Sequence, residues 1–184
     1  MLISVFGSSC PVEGHPLYEE GRRLGALLGQ RGWQVATGGY NGLMAAVSQG
    51  AAEAGGSVLG VTCQRFARRG LQANRWVQKE IQFSTLAERL LFLIGQCDAA
   101  VALSGGVGTL SEVSLAWSLI QSREVPARPL VLVGPCWSST VQAFLQAAEG
   151  LIRPVDQLLV TLCPTPEEAV TQLDRCAGRA ERSI

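Results

Sequence analysis

The sequence predicts an α/β fold, a doubly wound parallel sheet with helices on both faces, and three observations carry that prediction. Short apolar runs alternate with longer segments of helical spacing along all 184 residues. The short runs are continuously apolar rather than alternating in and out, which marks strands buried on both faces, as in a parallel sheet sandwiched by helices. Glycine is abundant, 21 residues, and it gathers where strands end, the edge at which such sheets bind ligands.

Taken in order, Leu2 to Phe6 is an apolar run ending at Gly7-Ser8-Ser9. Leu17, Leu24, Leu27 and Leu28 then recur at helical spacing, and Gly32 stops that helix. Trp33 to Ala36 is a second short strand closed by Gly38-Gly39. An Ala-rich helix follows from Leu43 to Ala54, ended by Gly55-Gly56, and Ser57 to Val61 is the next strand. Residues 62 to 83 form the least regular stretch, and a helix covers Thr85 to Gln96. The continuous run Ala99 to Leu103 leads straight into Gly105-Gly106-Val107-Gly108-Thr109, with a helix expected from Leu110 to Gln121. Leu130 to Val133 is a strand, Val141 to Ala148 a helix, Leu158 to Thr161 a weak strand and Pro166 to Cys176 the last helix. No repeat, low-complexity tract or linker interrupts this order, so residues 1–184 read as one domain.

Hydrophobic residues make up 47% of the chain and charged residues 16%, which excludes a disordered protein. Fifteen basic residues balance fifteen acidic ones, and zero net charge argues against nucleic-acid or anionic-membrane partners. The six cysteines contain no Cys-x-x-Cys pair, and His15 is the sole histidine, so no zinc-type spacing exists and no metal or cofactor is expected. Met-Leu-Ile-Ser-Val-Phe-Gly reads as a first strand rather than a signal peptide, and no uncharged apolar run reaches about 18 residues. The expectation is a soluble, reduced, cytoplasmic protein with no membrane association.

Of the glycine-rich turns, Gly105 to Thr109 is the strongest ligand candidate. A buried strand feeds it and a helix leaves it, so unpaired helix N–H groups and the Thr109 hydroxyl suit a phosphate. It matches neither the Walker loop, which needs Gly-Lys-Ser/Thr, nor the dinucleotide fingerprint Gly-x-Gly-x-x-Gly. Glu112, three residues after Thr109, reads two ways: as the far half of a Thr-x-x-Glu capping box, or as a carboxylate one turn from a phosphate. By pattern alone Arg89 is a solvated helix charge, the Arg65 to Arg75 cluster a solvated loop and His15 a turn residue. Trp117 and Phe144 read as core.

Gly7-Ser8-Ser9, Gly38-Gly39-Tyr40-Asn41-Gly42-Leu43-Met44, Ala54-Gly55-Gly56, Gly60-Val61, Glu88-Arg89 and Ser104-Gly105-Gly106-Val107-Gly108-Thr109-Leu110-Ser111-Glu112 occur in that order. Together they resemble the LOG (LONELY GUY) family, formerly labelled lysine decarboxylase-like, over most of the chain. The resemblance implies a Rossmann-like fold and a homodimer or higher homo-oligomer. It also implies hydrolysis of the N-glycosidic bond of an adenine-type nucleoside 5′-monophosphate to free base and ribose 5-phosphate. Carried over, Gly105, Gly106, Gly108 and Thr109 would hold the phosphate, with Ser8 and Gly39 lining the same pocket, and Arg89 and Glu112 would be the catalytic pair. The old decarboxylase label lacks support, because no cofactor-site pattern surrounds Lys79, the single lysine.

Three departures from the family pattern bear on the substrate. Leu90 stands where the family has Lys after Arg89, Ser104 replaces the proline that heads the main motif, and the Gly38–Gly42 loop is one residue short. The short loop looks more like relatives that include molybdenum-cofactor carriers, which bind a phosphorylated pterin without hydrolysing it. A carrier or sensor of a phosphorylated ligand is therefore the alternative to the phosphoribohydrolase.

Overall fold

A computed structural model describes residues 1–180. Seven strands form one all-parallel sheet: β1 (Leu2–Phe6), β2 (Gln34–Thr37), β3 (Val58–Cys63), β4 (Lys79–Phe83), β5 (Ala99–Ala102), β6 (Leu130–Val133) and β7 (Val160–Cys163), in the order β4-β3-β2-β1-β5-β6-β7. The helices are α1 (Pro16–Gln30), α2 (Leu43–Glu53), α3 (Gln64–Ala67), α4 (Leu86–Gly95), α5 (Val107–Gln121), α6 (Pro135–Ala147), α7 (Pro154–Gln157) and α8 (Pro166–Ala180). This is the α/β, Rossmann-like doubly wound arrangement that the run-and-glycine pattern predicts.

The register shows why the strands need apolar residues at every position. Ile3 pairs with Val35 on one side and Ala99 on the other. Successive residues of β5 then serve opposite faces: Ala99 and Val101 join Leu24, Val47 and Leu173 under α1, α2 and α8. Ala100 and Ala102 join Leu93, Val113 and Trp137 under α4, α5 and α6. Each face removes aliphatic surface from water at roughly 25 cal/mol per Å2. Because β1 is flanked by β2 and β5, the strand order reverses there, and a crevice opens beyond the carboxyl ends of the strands.

Several boundaries differ from expectation, each for a local reason. The stretch 62–83 ends in a true strand, β4, which lies at the sheet edge. Its residues Lys79-Glu80-Ile81-Gln82-Phe83 are half-buried or exposed, so it lacks the apolar run that marked the central strands. α5 begins at Val107 with Gly106 as its N-cap, three residues ahead of expectation. Gly108 and Thr109 therefore belong to the first helical turn, and Thr109 with Glu112 does not make a capping box. The box forms on α4 instead, where Thr85 Oγ1 accepts from Glu88 N at 3.2 Å and Glu88 Oε2 accepts from Thr85 N at 3.0 Å. His15 fills the turn role expected of it, its Nδ1 accepting from Leu17 N to cap α1. Trp117 packs half-buried against the core, but Phe144, which touches it edge-on, is exposed. Among the described residues, no helix is long and apolar enough to cross a membrane.

Candidate active site

Three loops meet over the crevice, and the backbone itself ties them together. Ser8 N donates to Ser104 O at 3.1 Å, and Leu43 N donates to Ser8 O at 2.8 Å. The β2–α2 loop crosses so close that a methyl group on Gly42, whose φ is +69°, would overlap the Ser8 carbonyl. Ser104 contributes only its carbonyl to this link, a bond that proline makes equally well. Its substitution in the motif therefore leaves the loop junction intact.

Arg89 and Glu112 converge from separate helices. On α4, Arg89 occupies the inward stripe that continues through Leu93, at the end nearest the crevice, and is 5% exposed. Its Nε donates to the Val61 carbonyl at 2.7 Å, and its guanidinium lies 6.0 Å from the Tyr40 ring centre. Gly38 makes the space, since a methyl group there would overlap the guanidinium. Glu112, in the second turn of α5 and 9% exposed, brings Oε1 to 3.8 Å from Arg89 Nη1. Burial pushes its carboxyl up to about 7, while the charge of Arg89 pulls the other way. The surface-charge reading of Arg89 and the capping-box reading of Glu112 both give way to a buried, facing pair.

The pair forms one wall of a cavity of about 280 Å3. Ser9, Gly108, Thr109 and Ser111 continue the polar side, and Tyr40, Met44, Phe66, Leu71, Leu86 and Leu90 supply the apolar side. Tyr40 is locked in place: its hydroxyl accepts from Cys63 N at 2.8 Å and donates to Cys63 O at 3.2 Å, and its ring meets Phe66 edge-on. A methyl group on Gly105 would overlap the Thr109 side chain, so the threonine packs back on the glycine turn at the helix start. The first turn of α5 thus carries unpaired N–H groups and partial positive charge at the cavity edge.

The eight residues singled out from sequence do not share one pocket. Arg89, Glu112, Gly108 and Thr109 line the cavity just described. Ser8, Gly105 and Gly106 line an adjoining hollow of about 590 Å3 with Cys10, His15 and Cys136. Gly39 lines neither. Its N–H donates to Thr37 Oγ1, and its carbonyl accepts from both Asn74 N and Asn74 Nδ2. Tyr40, Phe66 and Asn74 were not singled out from sequence. Tyr40 lay inside a glycine loop as its one aromatic, the signal that could have found it. Phe66 and Asn74 lay in a stretch without periodicity. Among the described residues, no group of three or more His, Cys, Asp or Glu converges as a metal site.

A SLOG cluster4 family model matches residues 1–134. The rice protein named probable cytokinin riboside 5′-monophosphate phosphoribohydrolase LOGL2 is 30% identical over 151 residues, which make up 80% of this chain and 61% of that one. The chain thus spans less than two thirds of that relative's length. The cytokinin riboside 5′-monophosphate phosphoribohydrolase of Mycobacterium tuberculosis is 31% identical over 136 residues, 72% of this chain and 70% of that one. Among solved structures, the molybdenum cofactor binding protein of Rippkaea orientalis superposes with a TM-score of 0.74 at 24% identity, over 96% of each chain, a likeness of fold.

Proposed function

Because the chain belongs to the SLOG cluster4 family, we propose that the Arg89–Glu112 cavity hydrolyses the N-glycosidic bond of a purine nucleoside 5′-monophosphate, AMP-like or of the cytokinin type. The products are the free base and ribose 5-phosphate. The observation that carries this reading is the buried carboxylate–guanidinium pair, 3.8 Å apart, beside the N-terminus of α5.

The chemistry follows from the positions. A 5′-phosphate is drawn to the helix start, with Gly105, Gly106, Gly108 and Thr109 as donors and Ser8 in the adjoining hollow. Gly39 acts beneath the site, holding the loop that presents Tyr40. Breaking C1′–N9 develops positive charge on the ribose, and an anionic Glu112 stabilises it. A water oxygen bonds C1′ as the base departs with the bond electrons; Glu112 takes a proton from the water, solvent protonates the departing base nitrogen, and Glu112 returns its proton to solvent. A carboxyl group near 7 is poised for that exchange at neutral pH. Arg89, fixed by the Val61 carbonyl, holds Glu112 and the anionic end of the substrate in register. The apolar wall of Phe66, Leu71, Leu86 and Leu90 receives the base. No cofactor takes part, and the chain works in the cytoplasm as a homodimer or higher homo-oligomer without nucleic acid or membrane.

The test is to incubate the protein with AMP and with isopentenyladenosine 5′-monophosphate and follow free base by chromatography. Release is expected, and Glu112→Ala should lower it by about two orders of magnitude or more while nucleotide still binds. A second reading, a non-catalytic carrier of a phosphorylated ligand such as molybdopterin, is favoured by Leu90, which removes a cation from the cavity. A co-purified pterin, with neither nucleotide cleaved, would select it.

A further inference from the structure

The charge of this chain is unevenly placed. Between Glu53 and Glu80 the sequence holds five cations and no acidic residue, although the whole chain is neutral. Three of the five, Arg65, Arg68 and Arg69, fall within six residues on and just after α3, which leaves the carboxyl end of β3 and so stands beside the crevice. Phe66 and Leu71, which bracket Arg68 and Arg69, both line the Arg89–Glu112 cavity. The three arginines are exposed, and among the described residues none makes an ion pair or a side-chain hydrogen bond. Glu88, an acid on the neighbouring α4, is engaged with its own helix cap. Asn74 holds the far end of the segment on the glycine loop, its N–H and Nδ2 both donating to Gly39 O.

We infer that Arg65, Arg68 and Arg69 form a cationic rim that captures phosphorylated ligands electrostatically and delivers them to the cavity. This inference rests on the phosphoribohydrolase reading for the identity of the ligand, though not for the capture itself. Three unpaired guanidinium groups of one sign beside a low-dielectric opening raise the local concentration of a dianion. Over the roughly 8 Å across which such charges act at physiological ionic strength, they need not touch the ligand in its final position. Leu90, which stands where the family pattern has a lysine, leaves its part of the cavity wall uncharged. The charge at the cavity mouth acts on arrival rather than on the bound state.

Stopped-flow association, read by intrinsic tryptophan fluorescence, tests this with AMP and inorganic pyrophosphate as anionic probes and adenosine as the neutral one. In the triple variant Arg65→Glu/Arg68→Glu/Arg69→Glu, the on-rate for both anions should fall by about tenfold or more at low salt. It should return toward wild type at about 0.5 M salt, where screening removes the field. Adenosine should be unaffected, and the triple Arg→Gln variant should fall between, which separates charge from misfolding. Unchanged anion on-rates in the reversed variant would overturn the rim, as would an equal slowing of adenosine. If wild type binds pyrophosphate through the arginines but ignores AMP, the rim stands and the nucleotide reading falls. If wild type binds neither anion, both fall.

Discussion

Glu112 is the residue on which most depends, and its burial has a consequence for stability. Its carboxyl sits at about 7 in the folded protein against an ordinary value of 4.5. Between those values the folded state retains a proton that the unfolded chain has released, so stability falls as pH rises through this window. A shift of that size corresponds to on the order of 3 kcal/mol once the group is fully ionised. Glu112→Gln, which keeps the shape of the protonated form, should therefore melt higher than wild type above neutrality. The two melting curves should converge toward pH 4.5, and a constant gap at all pH values would refute the assignment. At this scale the sequence was partly legible. Arg89 and Glu112 emerge from the family motif, yet pattern alone offered a surface charge for one and a helix cap for the other. Only Gly38, by leaving room for the guanidinium, and the Val61 carbonyl, by anchoring it, make Arg89 a buried group. Such space and anchors come from distant strands and leave no trace in local spacing.

At the scale of elements, the helix starts decide where the chemistry sits. A Thr-x-x-Glu pattern occurs twice, at Thr85–Glu88 and at Thr109–Glu112, and only the first closes a box. The difference lies upstream: Gly106 can cap α5 from three residues earlier, whereas α4 has no such glycine before Thr85. Thr85→Ala should accordingly cost about 1 kcal/mol in urea unfolding. No change in the unfolding midpoint would contradict the cap placement. The same earlier start moves Glu112 from the first turn to the second, where it turns inward to face Arg89. Central strands such as β5 were legible because burial on both faces demands continuous apolar runs. β4 was not, because an edge strand is held by pairing with β3 and carries Lys79 and Glu80 at its exposed margin.

For the whole molecule, the order β4-β3-β2-β1-β5-β6-β7 places three separate loops over one crevice, and that convergence is the basis of the functional reading. Alternation of strand and helix made the doubly wound sheet legible, and glycine marked the ends that matter. The division of the site into a cavity with Arg89 and Glu112 and an adjoining hollow with Ser8, Gly105 and Gly106 was not legible, because the hollow's Gly105 and Gly106 and the cavity's Gly108 and Thr109 are near neighbours in one glycine-rich turn and part only in space. The irregular segment after β3, which read as a solvated loop, supplies Phe66 and Leu71 to the cavity wall. The central claim is that ionised Glu112 drives cleavage at C1′, and the pH dependence of kcat/KM for base release from AMP tests it most directly, since kcat/KM reports ionisation of the free enzyme. The account predicts a kcat/KM that rises with pH through an inflection near 7. A profile flat across that region, or one that falls as pH rises through it, would contradict it.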